Sequence, residues 1–317
     1  MKKFTVAMVI LIFVGALVSG IGCAVYFGGG TKFFAEDVEY VAHAYVAQQA
    51  FDTFDFSLKT SHNVRFVQGD EFSVQYSDCE QAPINISVSD GKITMSEQGI
   101  DWKHWWKQLR YRYKNTDVII TVPEGTVLTL QGTIDGSANV ELPDWSFGKI
   151  DLRLRGSANL KGAGVKTQDV NFQVAGSANV NMSGEFKKVA VDASGSAKVT
   201  LTGNAESLKT YASGSADLIC NGFVCPLIDV EASGSVDLDL SGQGDTLIVH
   251  ASGSADIKAR NFALKTARFN SSGSLDAQVS VSEYLYVSAS GSTDIDYWGD
   301  PSVERSCSGS CRIRKMD

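Results

Sequence analysis

The chain has 317 residues, 44% of them hydrophobic, with 30 glycines, 5 prolines and a formal charge of −8. That much apolar sequence fills a substantial core, and glycine in excess of proline points to many tight turns rather than to a proline-rich disordered chain. The acidic balance and the scattered basic residues exclude nucleic acid as a partner of the main body.

Lys2 and Lys3 precede an almost unbroken apolar run from Phe4 to Phe27, closed by Gly28-Gly29-Gly30. A helix needs about 20 apolar residues to cross a bilayer, whereas a secretory signal carries a core of only about 7 to 15. The reading is an uncleaved transmembrane anchor over residues 1–30. Lipidation at Cys23 and ordinary cleavage are the alternatives. The basic pair before the run and Glu36, Asp37 and Glu39 after it place the body outside the bacterial cell membrane.

Residues 31–50 form a linker or short helix, with Val38, Val41, Ala42, Tyr45 and Val46 at amphipathic spacing. Residues 51–130 form a β-rich cap, antiparallel or irregular, in which Asp90-Gly91 makes a two-residue hairpin turn. Within it, Trp102, Lys103, Trp105, Trp106, Lys107, Arg110 and Arg112 place aromatic rings among cations, a candidate binding surface for anionic lipid, an envelope polymer or a protein. The structural alternative packs those aromatics onto the cap.

From residue 131 to the end one pattern governs the chain. A glycine followed by serine recurs at Gly136, Gly156, Gly176, Gly195, Gly214, Gly234, Gly253, Gly273, Gly291 and Gly309, at spacings of 18 to 20 residues. Apolar residues alternate on both sides of each pair, as in Val189/Val191 and Leu247/Val249, the mark of strands with one buried face. A unit this short cannot bury its apolar side alone, so consecutive units stack. The expected fold is all-β: a single-stranded β-helix, or solenoid, of about ten turns of 18 to 20 residues, preceded by the transmembrane helix and the cap. The glycine is expected to supply a backbone conformation that other residues resist.

Three positions after each glycine runs a polar ladder of Asn139, Asn159 and Asn179, then Asp217, Asp237, Asp256, Asp276 and Asp294, with Lys198 and Arg312 departing from it. Amides stack well in register. Aligned carboxylates repel one another, so they face water, bond to corner N–H groups or bind cations. A column of this kind offers too few oxygens for calcium, and its members share one environment, whereas acid–base catalysis needs carboxylates held differently. The expectation is no catalytic site, no cofactor and no metal. Cys220 with Cys225, and Cys307 with Cys311, are candidate disulfides of an oxidising compartment. Cys79 is left unpaired.

The corner motif followed by Asp or Asn and an aliphatic residue resembles the bacterial putative adhesin families, the head GIN domain and the related Toast-rack type. The opening Phe51-Asp52-Thr53-Phe54-Asp55-Phe56, the strand Val118-Ile119-Ile120-Thr121-Val122-Pro123 and the closing Tyr297-Trp298-Gly299-Asp300-Pro301 carry the same likeness. The resemblance implies an extracytoplasmic β-solenoid with a role in adhesion or envelope sensing, and it places no catalytic residue on this chain. The expected function is a non-catalytic structural or binding module of the envelope, its partner an envelope protein, lipid or polysaccharide. The alternative is a sensory ectodomain acting through the aromatic–basic segment. Oligomerisation is left open.

Overall fold

The computed structural model describes residues 36–99, 111, 112 and 114–317. The expected anchor, Cys23 and most of the aromatic–basic segment lie outside the described residues. Among the described residues no helix is long and apolar enough to cross a membrane.

Two compact units divide the chain, residues 1–40 with 100–114, and residues 41–99 with 115–317. In the first, Glu36–Asp37 pairs in parallel with Tyr111–Arg112. There the Tyr40 hydroxyl receives the Lys114 backbone N–H at 3.1 Å and donates to the Lys114 carbonyl oxygen.

The second unit is a single-stranded β-solenoid. Each coil has one strand before the Gly-Ser corner and one after it, and each pairs in parallel with its counterpart in the next coil. Before the corner, Ser207–Ala212 pairs with Leu227–Ala232, which pairs with Thr246–Ala251. After it, Ser215–Val224 pairs with Ser235–Gln243, which pairs with Ser254–Ser271. The ten corners thus bound nine complete turns.

Alternation explains the burial. Leu208, Ala212, Ala216 and Leu218 are buried while the residues between them are mostly exposed or half-buried. The residues two positions before and after the corner glycine face the interior, and at several corners both are alanine, as at Ala212 and Ala216 or Ala251 and Ala255. Larger ones, among them Phe172, Phe223, Phe262 and Phe269, fill the wider part of the cross-section. Fully burying one such side chain is worth about 1.5–3 kcal/mol.

The stretch expected to cap the rod mostly continues it. Thr53–Leu58 and His62–Gly69 form a coil on which Leu128–Ile134 and Asn139–Leu142 stack in parallel. On its other side Lys92–Glu97 and Thr116–Pro123 form a further parallel coil. The second coil in sequence is therefore the outermost in space. Among the described residues antiparallel strand pairing joins Ile84–Ser89 to Lys92–Glu97, and Ser73–Asp78 to Thr116–Pro123 and Val41–Val46, with one isolated antiparallel bridge between Cys79 and Ala82. The short helix expected within residues 31–50 does not form over Val41–Val46. Those residues are a strand, because pairing with Ser73–Asp78 supplies backbone partners that outweigh a weak helical spacing. Asp90-Gly91 makes the expected hairpin turn, both residues with positive φ (52° and 73°).

Candidate functional site

The repeated corner dictates the surface around it. From Ser177 to Ser292 each corner serine donates its backbone N–H to the glycine carbonyl of the coil before: Ser196 to Gly176 at 2.8 Å, Ser215 to Gly195 at 2.7 Å, Ser254 to Gly234 at 2.9 Å. That carbonyl points at the next glycine. A Cβ on Gly195 would lie 2.9 Å from the Gly176 oxygen, and one on Gly253 would press directly on the Gly234 oxygen.

Two causes therefore select glycine. Gly156, Gly176, Gly195 and Gly214 adopt φ between 79° and 88°, the left-handed region that other residues resist. The later corner glycines, Gly234, Gly253, Gly273, Gly291 and Gly309, are outside that region, and it is close stacking on the preceding carbonyl that excludes a side chain. A second glycine-rich corner, which the Gly-Ser period does not reveal, runs through Gly184, Gly203 and Gly242.

The polar ladder is in register over its whole length, from Asn139, Asn159 and Asn179 through Lys198 to Asp217, Asp237, Asp256, Asp276, Asp294 and Arg312. Its amide part is longer than the repeat implies. The Asn159 side chain donates to Asn139, and Asn139 to Asn63, at 3.1 and 3.0 Å, and Asn63 donates to Asp117 at 2.9 Å. Asn63 follows a corner without glycine, so the period alone did not reveal it.

The acidic part is closed by cations at both ends. Lys198 is in register with Asp217, and Arg312 and Arg314 approach Asp294 at 3.4 Å, with Arg314 also on Asp296 at 2.8 Å. In its middle the Asp276 carboxyl is pushed above the ordinary range by burial and by the neighbouring Asp256, Asp294 and Asp296 charges, with Arg314 opposing. Among the described residues no group of three or more His, Cys, Asp and Glu side chains is placed to hold a metal ion.

A groove lies on each side of the Gly-Ser corner. One, of about 480 Å3, is lined by the serines and aspartates that follow the corner, from Ser235 and Asp237 to Ser292 and Asp294. The other, of about 670 Å3, runs along the strand before it. Its edge is the outward column Asp192, Tyr211, Glu231, His250 and Asn270, and its floor is the serine column from Ser213 to Ser308. No simple sequence signal marked this groove, because its outward column changes residue type from Asp192 through Asn270 before ending in Ser288 and Ser306.

The N-terminal end carries a buried polar cluster. Glu97 and His62 are almost fully buried, 3.2 Å apart. The Glu97 carboxylate accepts the backbone N–H groups of Lys59 and Thr60 and the Thr60 hydroxyl. His62 Nδ1 lies 2.8 Å from the Thr116 hydroxyl. Burial works to raise the Glu97 pKa, but the His62 contact and charge, with Thr60 and the Lys59 N–H, outweigh it and hold the carboxyl below the usual range.

The cysteines divide. Cys307 and Cys311 form a disulfide across the last corner, Cα atoms 6.2 Å apart, at the two inward positions that alanines occupy in earlier coils. The expected Cys220–Cys225 bridge is not made, and both thiols are free and buried. Cys220 occupies the core position of Leu201 and Leu240 in the adjacent coils. Cys225 lies beyond the turn at Gly222, with its thiol donating to the Leu227 carbonyl at 3.2 Å. The chain thus uses them as small apolar side chains. Cys79 is likewise free and buried. Of the aromatic–basic candidates only Arg112 is described, in the short strand paired with Glu36–Asp37.

The family described as "Putative auto-transporter adhesin, head GIN domain" matches residues 51–218 and 189–301. No curated protein matches the chain. Among solved structures, the chain is similar to a putative adhesin from Parabacteroides merdae at 15% identity and a TM-score of 0.41, covering 89% of this chain and 100% of that one. It is also similar to a putative adhesin from Parabacteroides distasonis at 16% identity and 0.41, over 89% and 100%. A third, described as a putative lipid binding protein from Parabacteroides distasonis, shares 17% identity at 0.41, over 89% and 99%.

Proposed function

Because the chain belongs to the putative auto-transporter adhesin, head GIN domain family, we propose that it is a non-catalytic structural or binding module of the bacterial envelope, held at the membrane by residues 1–30 and displayed outside the cytoplasm. The observation that carries this reading is the uniformity of the stack. The same corner, N–H to C=O bond and outward ladder recur from coil to coil, which makes an extended display surface. Acid–base chemistry would instead call for paired carboxylates held in different environments. The disulfide of the last coil is consistent with an oxidising compartment.

The test is retention of envelope material. Full-length chain, crosslinked in intact cells and recovered under denaturing conditions, is expected to bring envelope components with it and to fractionate with membranes. Recovery in the cytoplasmic fraction with nothing attached would sink the reading. Replacement of Trp102, Trp105 and Trp106 by serine and of Lys103, Lys107, Arg110 and Arg112 by glutamine, scored in the same assay, decides whether that segment contributes to capture.

A further inference from the structure

We propose that the groove along the strand before the Gly-Ser corner binds a neutral, linear, β-linked glycan laid parallel to the solenoid axis. The inference deepens the envelope-module reading and rests on it.

Three properties of the groove point to this ligand. The first is its chemistry. The edge presents an aromatic ring, a carboxylate, an imidazole and an amide in successive coils, at Tyr211, Glu231, His250 and Asn270. Tyr211 is 42% exposed. Its ring is steadied from one side by Lys209, 4.7 Å from the centroid, and Lys209 also lies 3.4 Å from Glu231. An amphipathic ring stacks on the C–H face of a pyranose, while amide and carboxylate groups bridge adjacent sugar hydroxyls, which both donate and accept. The floor adds hydroxyls. Ser233 and Ser252 each direct their proton to a backbone carbonyl, of Ala212 and Ala232. Their oxygens retain lone pairs for a ligand hydroxyl.

The second property is the repeat. The strands before the corner pair without a register shift from Ser207–Ala212 to Tyr284–Ala289, so equivalent side-chain positions, though not the same residue types, recur at the strand spacing of about 4.8 Å. A β-1,4-linked pyranose chain advances by roughly one coil height per sugar and, with alternate rings turned over, presents the same face at every second coil. An extended peptide repeats its side chains every two residues, about 6.7 Å, and drifts out of step. The groove's volume, about 670 Å3, lies within the usual range of small-ligand sites, about 300–1,000 Å3.

The third is charge. Asp192 and Glu231 stand on the groove edge, and the chain carries a net −8. A polyanion would be repelled, which selects a neutral polymer over a uronate or phosphate-bearing one.

The experiment is calorimetric titration of full-length, detergent-solubilised chain with cellohexaose and chitohexaose, with alginate as the polyanionic comparator and an extended peptide as the protein-like one. Tyr211→Ala and Asn270→Ala are compared with Lys161→Ala on the strand after the corner, each variant first matched to the parent in melting temperature. Saturable binding of a neutral hexasaccharide, weakened at least tenfold by Tyr211→Ala and by Asn270→Ala but not by Lys161→Ala, is the expected result. No saturable binding of either hexasaccharide, equal binding by all variants, or preference for alginate or the peptide overturns the assignment. The crosslinking assay separates the two claims. Groove variants that still capture envelope material as the parent does overturn the groove alone, and a parent that captures nothing overturns the envelope reading itself.

Discussion

The Glu97 carboxylate stands 2.6 Å from the backbone nitrogen of Lys59, where every later coil has a corner carbonyl. In the outermost coil no Gly-Ser pair lies between the strands Lys92–Glu97 and Thr116–Pro123. The corner N–H groups of Lys59 and Thr60 would otherwise have no coil to donate to. Glu97 supplies the missing acceptors with a side chain.

Glu97→Gln is therefore expected to cost about 2–4 kcal/mol, since the amide places a donor against donors and removes the partner of His62. Chemical denaturation at neutral pH measures it. The folded-state pKa of Glu97 is lowered, so its contribution is complete above the unfolded carboxylate pKa and is lost as pH falls through the lower, folded value. The gap between parent and variant should narrow on acidification and never widen.

Corner glycines should fail for two different reasons. Gly195→Ala forces a non-glycine residue to φ 79°, at a cost of about 1–3 kcal/mol. Gly253→Ala meets the Gly234 carbonyl and must separate two coils to be accommodated. Both should lower the melting temperature. Hydrogen exchange should show the Gly253→Ala loss concentrated at the Ser254 and Ser274 amides, whose bonds to Gly234 and Gly253 are disturbed.

The acidic ladder is a source of repulsion that one substitution relieves. The Asp276 pKa is raised, so its effect favours the folded state below the unfolded carboxylate pKa and is lost as pH rises through the folded value. Asp276→Asn is expected to stabilise the chain at pH 7 by about 0.5 kcal/mol, a small figure because the carboxylates are largely solvated. The gain should shrink in high salt, where exposed charges are screened, and vanish below about pH 4, where the carboxyl is protonated anyway. Thermal melts across pH and salt decide it.

The cysteines should separate by reactivity. Burial pushes the Cys225 thiol up to about 11, with hydrogen bonds to Leu227 and Leu208 opposing, and raises Cys220 further. Neither should label with maleimide until the chain is unfolded, as read by mass spectrometry. Cys307→Ser with Cys311→Ser should cost at most about 2 kcal/mol, the chain-entropy value for so short a loop. The loss should be confined to faster exchange over Ser302–Cys307 and Ser310–Lys315.

The solenoid was legible because its cause is periodic: a carbonyl that excludes side chains at each corner writes glycine into the sequence at each coil. Ladder register followed from the same period. What lacked that signal was missed. The coil of Thr53–Leu58 and His62–Gly69 turns through Lys59-Thr60-Ser61 with no glycine, so it read as part of an irregular cap. Glu97 carried no sequence signal because the groups it serves lie 37 and 38 residues away. The Cys220–Cys225 pair misled because proximity along the chain says nothing about which thiol fills a core position. The groove flanking the corner has an outward column whose residue type changes over its first five coils, and only stacking brings Tyr211, Glu231, His250 and Asn270 into line.

The crossed order of the first coils bears on how the molecule is made. Thr53–Leu58 is flanked on one side by Lys92–Glu97 and on the other by Leu128–Ile134. A nascent chain emerging amino end first would hold this segment with both edges bare until the later pieces arrive. Growth of the stack cannot simply follow synthesis. Only from Leu128–Ile134 onward does the order of coils in space follow the order in the chain.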